Sequence, residues 1–334
     1  NNANNMRLFE ATGCGALLIT DYKDNLNELF DIGKEIVVYR SIEECVALVR
    51  YYLKHPEAAA DIAAKGKIRT IKEHSYNSRM IKTAEILSRH IRYKWFEKPA
   101  PIDMETISCE YTKSSLSQVT ESLEKSWKNE TIPIKQRSLV QHELIGLYKN
   151  EIPFHYQVLA ESLKPIVNND CKIIEIGCAS GYYYEILEYL LGVNIDYIGI
   201  DYSPSLIEMA KDYYPNTKFY IADGASTPFD DRQFDVVISS CVLLHVKNYY
   251  AHIAETIRIA GKYIVLHRTP VSRKIKTQFY TKLAYGVETF EIRFNESDIL
   301  LAILNDGFEL IRSYEISADK VRDEYDITYV LKRK

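Results

Sequence analysis

The chain has no Cys-x-x-Cys pair, and none of its cysteines stands at metal-site spacing from a histidine. Its six cysteines, Cys14, Cys45, Cys109, Cys171, Cys178 and Cys241, are scattered, several of them in apolar strand-like or helical runs. Small buried thiols in a reducing, cytoplasmic setting are therefore expected, and a metal-dependent mechanism is not. No apolar run approaches the roughly 18–20 residues of a membrane span. A strong charge of either sign is also missing. The 42 lysines and arginines against 46 acids leave a formal net charge of −4, which gives no general attraction to nucleic acid or to an anionic membrane. Basic residues gather only between Lys65 and Lys94, in the manner of solvated helix faces. No internal repeat is apparent.

What is present reads as a globular protein with a real core, 46% hydrophobic and 26% charged over 334 residues. That length predicts two domains, or one large domain with an appendage. Residues 1–95 open on an asparagine-rich head, NNANNMRLFE, that runs straight into a helical pattern, and the expectation is the C-terminal part of something longer. GALLITD and KEIVVYR follow as short buried strands. Ser41 with Glu44 predicts a capping box, and Ile42, Val46, Val49 and Leu53 the apolar face of the helix it opens. Pro56 starts the next helix. Two strands cannot close an α/β layer structure, so this region is half a domain or an appendage. Residues 96–130 read as a linker, EKPAPIDMETISCEYTKSS, followed by a short helix spaced by Leu116, Val119, Leu123 and Trp127.

Residues 131–334 begin with two helices and then turn regular. Strands are predicted at Lys172–Ile176, Tyr197–Ile200, Lys218–Ala222, Asp235–Ser239 and Tyr263–His267, with helices between them, as in a parallel doubly wound sheet. Phe308–Ile316 and Ile327–Lys332 are strand-like with only a short connection, so they pair antiparallel.

The first of these strands ends in IIEIGCASGYYYEIL. A strand–glycine–helix turn offers backbone N–H groups to a ligand. It is not the dinucleotide pattern G-x-G-x-x-G, because Ala179 stands where the middle glycine would be. Glu175 at the strand end would repel a pyrophosphate and favour a ligand carrying an ammonium and a sulfonium, as S-adenosylmethionine does. Asp201 ends the next strand about twenty residues on, where an acid accepts ribose hydroxyls. Asp223-Gly224 ends the third, where an acid would suit an adenine amino group.

With IIEIGCASG, IGIDYS, YIADGASTPFDDRQFDVVISS and CVLLHV in this order, the region resembles the small-molecule branch of the class I S-adenosylmethionine-dependent methyltransferases. The resemblance implies a Rossmann-like seven-stranded sheet with an antiparallel last strand. It implies Glu175, Gly177, Cys178, Ala179, Gly181 and Tyr182 about the methionine end, and Asp201, Tyr202 and Ser203 about the ribose. Asp223, Gly224 and Ala225 would lie at the adenine, with Ser240 on the fourth strand end. A hydroxyl acceptor also needs a base. His245, just past the fourth strand, is the first candidate and His267 the second, each with a packing role as the alternative. Arg268 could hold an anionic acceptor or merely a surface acid.

Met6–Arg92 resembles part of a GT-B glycosyltransferase of the spore-maturation type, in its C-terminal nucleotide-sugar half. That implies Glu10 at the sugar-nucleotide ribose and the Gly13–Gly15 turn leading into a strand. The acceptor half and the earlier donor strands have no counterpart, so a nucleotide sugar is expected as partner only if a full GT-B domain exists upstream. The fold class is thus a methyltransferase sheet preceded by a partial GT-B fragment and a helical linker. The expected function is O-methylation of a sugar hydroxyl on a small-molecule or glycan acceptor, in a glycan or glycoconjugate precursor. The alternatives are an accessory domain of a longer glycosyltransferase and a non-catalytic S-adenosylmethionine-binding module.

Overall fold

The structure, a computed structural model, describes residues 5–91 and 110–334. They fall in two units, residues 1–97 and 98–334. Lys94, Cys109 and most of the expected linker lie outside the described residues. No helix among the described residues is long and apolar enough to cross a membrane.

In the N-terminal unit, α1 (Met6–Gly13), β1 (Ile19–Asp21), α2 (Leu26–Leu29) and β2 (Val37–Tyr39) precede α3 (Ile42–Lys54), α4 (Pro56–Arg69) and α5 (Tyr76–Ile91). The two strands pair in parallel, Ile19 opposite Val37. The core they share is small: Leu8, Leu26, Phe30 and Ile36. Ser41 caps α3 by accepting the N–H of Glu44 at 3.2 Å. The Glu44 carboxylate reaches back to the N–H of Arg40 at 2.7 Å, satisfying a further donor ahead of the first turn. The apolar stripe of α3 finds no core, and Ile42 and Leu53 are each 78% exposed. Two strands offer too little sheet to cover it.

The C-terminal unit contains β3 (Thr112–Ser114), α6 (Glu121–Glu124), α7 (Ile132–Tyr148), α8 (Phe154–Leu163), β4 (Cys171–Ile176), α9 (Tyr182–Leu191), β5 (Ile195–Asp201), α10 (Pro204–Tyr213) and β6 (Lys218–Ile221). These are followed by β7 (Phe234–Ser240), α11 (Tyr249–Ile259), β8 (Ala260–Ser272), β9 (Gln278–Ala284), β10 (Val287–Asn295), α12 (Glu296–Leu304), β11 (Phe308–Asp319) and β12 (Glu324–Arg333). The main sheet runs β6-β5-β4-β7-β8-β12-β11. Its first five strands are parallel, and β12 lies antiparallel between β8 and β11. This is the seven-stranded Rossmann-like sheet, and its order reverses at β4, which puts the ends of β4, β5 and β7 side by side.

The predicted strands are present, and one group was not foreseen. β9 and β10 form an antiparallel hairpin, β3 pairs with β9, and Phe294 and Asn295 join this hairpin to the end of β8. Its turn is Tyr285-Gly286, both at positive φ, 55° and 78°, the conformation that two-residue hairpins require. The buried side of β10 alternates Phe290, Ile292 and Phe294, at most 2% exposed. That period of two is legible in the sequence, although Tyr-Gly is a weaker turn signal than Asn-Gly.

Residues 110–129, expected as linker and helix, belong to this unit. Val119 and Leu123 are buried in its core cluster. The Tyr202 hydroxyl donates to the Glu124 carbonyl at 3.2 Å, and Lys247 pairs with Glu124 at 2.7 Å. The segment therefore crosses the ends of β5 and β7.

Packing of the hairpin is testable. Phe294→Ala removes a buried ring that meets Tyr249 edge-on at 5.1 Å and is expected to cost about 3–5 kcal/mol. Leu283→Ala, on the exposed side of β9, is expected to stay within about 0.5 kcal/mol. Urea denaturation measures both, and equal effects would contradict the described packing.

Candidate active site

The glycine turn after β4 is built by the neighbouring strand. The Ile200 carbonyl accepts the N–H groups of Gly177 (2.8 Å) and Cys178 (2.9 Å), and the Gly181 N–H closes the turn on the Cys178 carbonyl at 2.9 Å. Gly177, Ala179 and Gly181 all stand at positive φ, 76°, 48° and 75°. A Cβ on Gly177 would overlap the Val242 side chain, and one on Gly181 would lie 2.6 Å from the Phe219 ring. These two glycines are thus required both by conformation and by space. Ala179 holds the third left-handed position at some strain.

Asp201, 7% exposed, fastens the same turn. Its carboxylate accepts the N–H of Ala179 at 3.0 Å and of Ser203 at 2.9 Å. Burial raises its pKa to about 6, and these backbone N–H groups oppose the rise. A carboxylate offers about four acceptor directions, so two remain for ribose hydroxyls. Ser203 is buried before the first turn of α10. Tyr202 is half-buried, with the Lys128 ammonium 5.2 Å from its ring centre.

Glu175 is 1% exposed. The Tyr197 hydroxyl donates to one of its oxygens, and the other, Oε1, has no hydrogen-bond partner among the described residues. Burial pushes its pKa up to about 8; the Tyr197 bond opposes this and nearby Asp201 adds to it. Sequence reasoning placed a bare carboxylate here. In the ligand-free structure burial instead favours the protonated acid, and a cation placed beside it would favour the carboxylate. An orphaned buried acceptor of this kind, beside a turn too tight for side chains, fits the cationic end of S-adenosylmethionine.

Asp223 is exposed beyond β6. One of its oxygens accepts the Ala225 N–H at 2.9 Å, and the other is open to a ligand. Gly224 packs where a Cβ would lie 2.5 Å from Ile176 and 2.9 Å from the His252 ring. This ties the β6 end to the β4 end. Buried His252 hydrogen-bonds the Ser239 hydroxyl at 3.1 Å, and burial lowers its pKa to about 4.

On the acceptor side, Ser240 ends β7 and faces the Tyr183 hydroxyl. Tyr182, in the first turn of α9, stacks obliquely on Tyr183 at 4.7 Å. His245 follows in a single helical turn. Its Nδ1 lies 2.9 Å from the Phe290 carbonyl, so Nδ1 carries the proton and the Nε2 lone pair is free. Burial lowers its pKa, which Glu291 and the Phe290 bond oppose. The Trp127 ring lies 4.8 Å from it. Trp127 and Phe290 belong to the segment and the hairpin, neither of which was expected to reach the site; the apolar spacing of the one and the alternation of the other were the available signals.

His267 does not suit the role of a base for an incoming acceptor. It is 0% exposed, its Nδ1 meets the Thr328 hydroxyl at 2.8 Å, and burial drives its pKa well below the usual range. The β8–β12 pairing encloses it. Glu10 lies exposed on α1 of the N-terminal unit.

Residues 174–262 match the family model described as a methyltransferase domain, and residues 1–85 match that described as glycosyl transferase-like. The chain is similar to the tRNA (carboxymethyluridine(34)-5-O)-methyltransferase of Saccharomyces cerevisiae, 33% identical over 121 residues, which are 34% of this chain and 41% of that protein. It is similar to the demethylmenaquinone methyltransferase of Staphylococcus aureus, 25% identical over 120 residues, 34% of this chain and 50% of that protein. The chain thus spans half or less of the length of these curated relatives. Among solved structures, the 1,6-didemethyltoxoflavin-N1-methyltransferase of Burkholderia thailandensis superposes with a TM-score of 0.47 at 11% identity, over 68% of this chain and 97% of that one. The C-terminal unit is a Rossmann-like methyltransferase domain with S-adenosylmethionine as its cofactor, and the N-terminal unit is glycosyltransferase-like.

Proposed function

We propose that the C-terminal unit methylates an oxygen, a sugar hydroxyl on a glycan or glycoconjugate precursor, with His245 as the base. One observation carries this reading: the Phe290 carbonyl holds the proton on Nδ1 of His245, and burial keeps the ring neutral. Nε2 is then an acceptor at neutral pH. Displacement at a sulfonium needs positioning more than acid–base help, but a hydroxyl must lose its proton as it attacks. A neutral imidazole beside the β7 end supplies that step. The glycosyltransferase-like unit in the same chain favours a sugar as the acceptor. Glu10, exposed on α1, is the residue by which that unit would meet a nucleotide sugar.

Bound S-adenosylmethionine would supply the electrophilic methyl. Glu175 and the 177–181 turn would hold its methionine end, Asp201 its ribose and Asp223 its adenine. Tyr182 and Ser240 would line the passage to the acceptor.

Three outcomes are expected. Transfer of labelled methyl from S-adenosylmethionine into sugar acceptors should fall about 10²–10⁴-fold in His245→Gln, with cofactor affinity by calorimetry unchanged; an unaltered rate removes His245 from the chemistry. Asp201→Ala orphans two backbone N–H groups. It is expected to weaken cofactor binding at least ten-fold and to lower stability by about 1–3 kcal/mol.

The third concerns pH. The folded chain keeps a proton on Glu175 up to about pH 8, whereas the ordinary carboxyl loses it near 4.5. The contribution of Glu175 to the stability of the ligand-free fold therefore falls as pH rises from 4.5 to about 8 and levels off above. Glu175→Gln removes that slope, so its gain in urea denaturation should be small at pH 4.5 and largest at pH 8. A gain independent of pH would refute the buried proton.

A further inference from the structure

Strand β8 carries, beside the end of β7, a feature that proton removal from a hydroxyl does not require. Thr269 pairs with Ile327 and Leu266 with Tyr329, so His267 and Arg268 together face the single residue Thr328. This is a β-bulge, and Arg268 sits in it at φ 53°, a left-handed position that glycine fills without strain. Beside it Cys241 stands at φ 51° and donates its N–H to the His267 carbonyl at 2.9 Å. Two non-glycine residues thus hold left-handed backbone side by side, Cys241 just past the end of β7 and Arg268 within β8. Bulges re-aim side chains, and such strain persists where function maintains it.

The bulge takes Arg268 out of the strict in–out alternation that encloses His267. The groups around its guanidinium are Cys241 just past β7, Tyr182 and Tyr183 from α9, and Asp326 from β12. His155 of α8 and Tyr285 of the hairpin turn also sense its charge. The acid it faces, Asp326, is 4.0 Å away, beyond hydrogen-bond reach, and feels the pull of Arg293 as well. The Arg268 side chain is 35% exposed. Among the described residues no carboxylate stands within hydrogen-bond distance of this fork of five donors, and Tyr182 and Tyr183 are among its neighbours. A structural partner for Asp326 would close onto it. A guanidinium held short of its acid is instead set for a planar anion, which it grips bidentately.

We infer that Arg268 is a specificity-determining residue that receives a carboxylate or phosphate on the methyl acceptor, between the first turn of α9, the end of β7 and the bulge of β8. The inference rests on the methyltransferase reading and names the acceptor class: an anionic molecule, with the methylated oxygen presented toward His245.

Three probes share a ring and differ in the group offered to Arg268: glucose, glucuronate and glucose 6-phosphate. Each is titrated into the full chain saturated with S-adenosylhomocysteine, and binding is read by calorimetry. One or both anions are expected to bind at least ten-fold more tightly than glucose, the better of the two distinguishing a carboxylate from a phosphate acceptor. Arg268→Met should abolish that preference, Arg268→Lys retain part of it, and neither should change the affinity for S-adenosylhomocysteine. Asp326→Asn removes the competing acid and should strengthen anion binding several-fold, an effect of opposite sign that loss of folding cannot mimic. Equal binding of all three probes, or an anion preference that survives Arg268→Met, overturns the inference. Failure of the unaltered chain to bind S-adenosylhomocysteine would instead overturn the reading on which it rests.

Discussion

The end of β5 is the fixture on which the site depends. The Ile200 carbonyl takes two N–H groups of the glycine turn, and the Asp201 carboxylate takes a third, from Ala179, and a fourth, from Ser203. Four backbone donors that would otherwise be orphaned in a buried turn are thus satisfied by two consecutive residues. The consequences spread outward. With the turn fixed, Gly177 must pass under Val242 and Gly181 under Phe219, and both positions exclude a Cβ. The turn then opens α9 with its tyrosines at the acceptor side, and Glu175 is left beneath it with one oxygen unused. The acid read from the sequence as a ribose ligand is in the ligand-free fold first a structural staple, and its remaining acceptor directions are what a nucleoside would find.

Tyrosine–glutamate pairing settles how so polar a set of aromatic residues is buried. Tyr148 and Tyr214 both donate to Glu185, at 2.6 and 2.7 Å. Tyr197 donates to Glu175, Tyr156 to Glu143, and Tyr329 to Glu296 at 2.7 Å. Each phenol brings apolar ring area to the core, and at Glu175 and Glu185 its hydroxyl satisfies an acid that is itself buried. The 26 tyrosines of the chain are in part this packing device. The run Tyr182–Tyr184 divides along the same lines. Tyr184 donates to Glu188 at 3.1 Å and packs on Tyr197, while Tyr182 and Tyr183 turn toward Ser240 and Arg268.

The parallel strands and their acidic ends were legible because each announces itself locally. An apolar run stopped by a glycine or an acid needs no distant partner to be recognised, and so the strand-end positions of Glu175, Gly177, Asp201 and Asp223 were legible. What escaped depends on pairing between distant segments. Thr112–Ser114 becomes a strand only because β9 offers an edge, and Trp127 reaches His245 only because Val119 and Leu123 bury into the core. The enclosure of His267 follows from the pairing of β8 with β12, which brings Thr328 against its ring and which no run of residues near His267 encodes. Protonation was equally out of reach. Glu175 reads as an anion in sequence, and burial decides otherwise.

The hairpin also changes how the base is understood. His245 follows a strand common to the whole sheet, yet the atom that fixes its tautomer is the carbonyl of Phe290, in an excursion between β8 and α12. The same hairpin sets Tyr285 among the groups that sense Arg268, and its Lys282–Glu291 pair lies close enough to bias His245. The orientation of the proposed base and the acceptor surroundings would therefore be supplied by one element, independent of the β4–β5–β6 ends proposed to hold the cofactor. A change in the hairpin would alter acceptor and proton transfer together while leaving cofactor binding intact, which is the separation a methyltransferase needs to take up a new substrate without rebuilding its cofactor site.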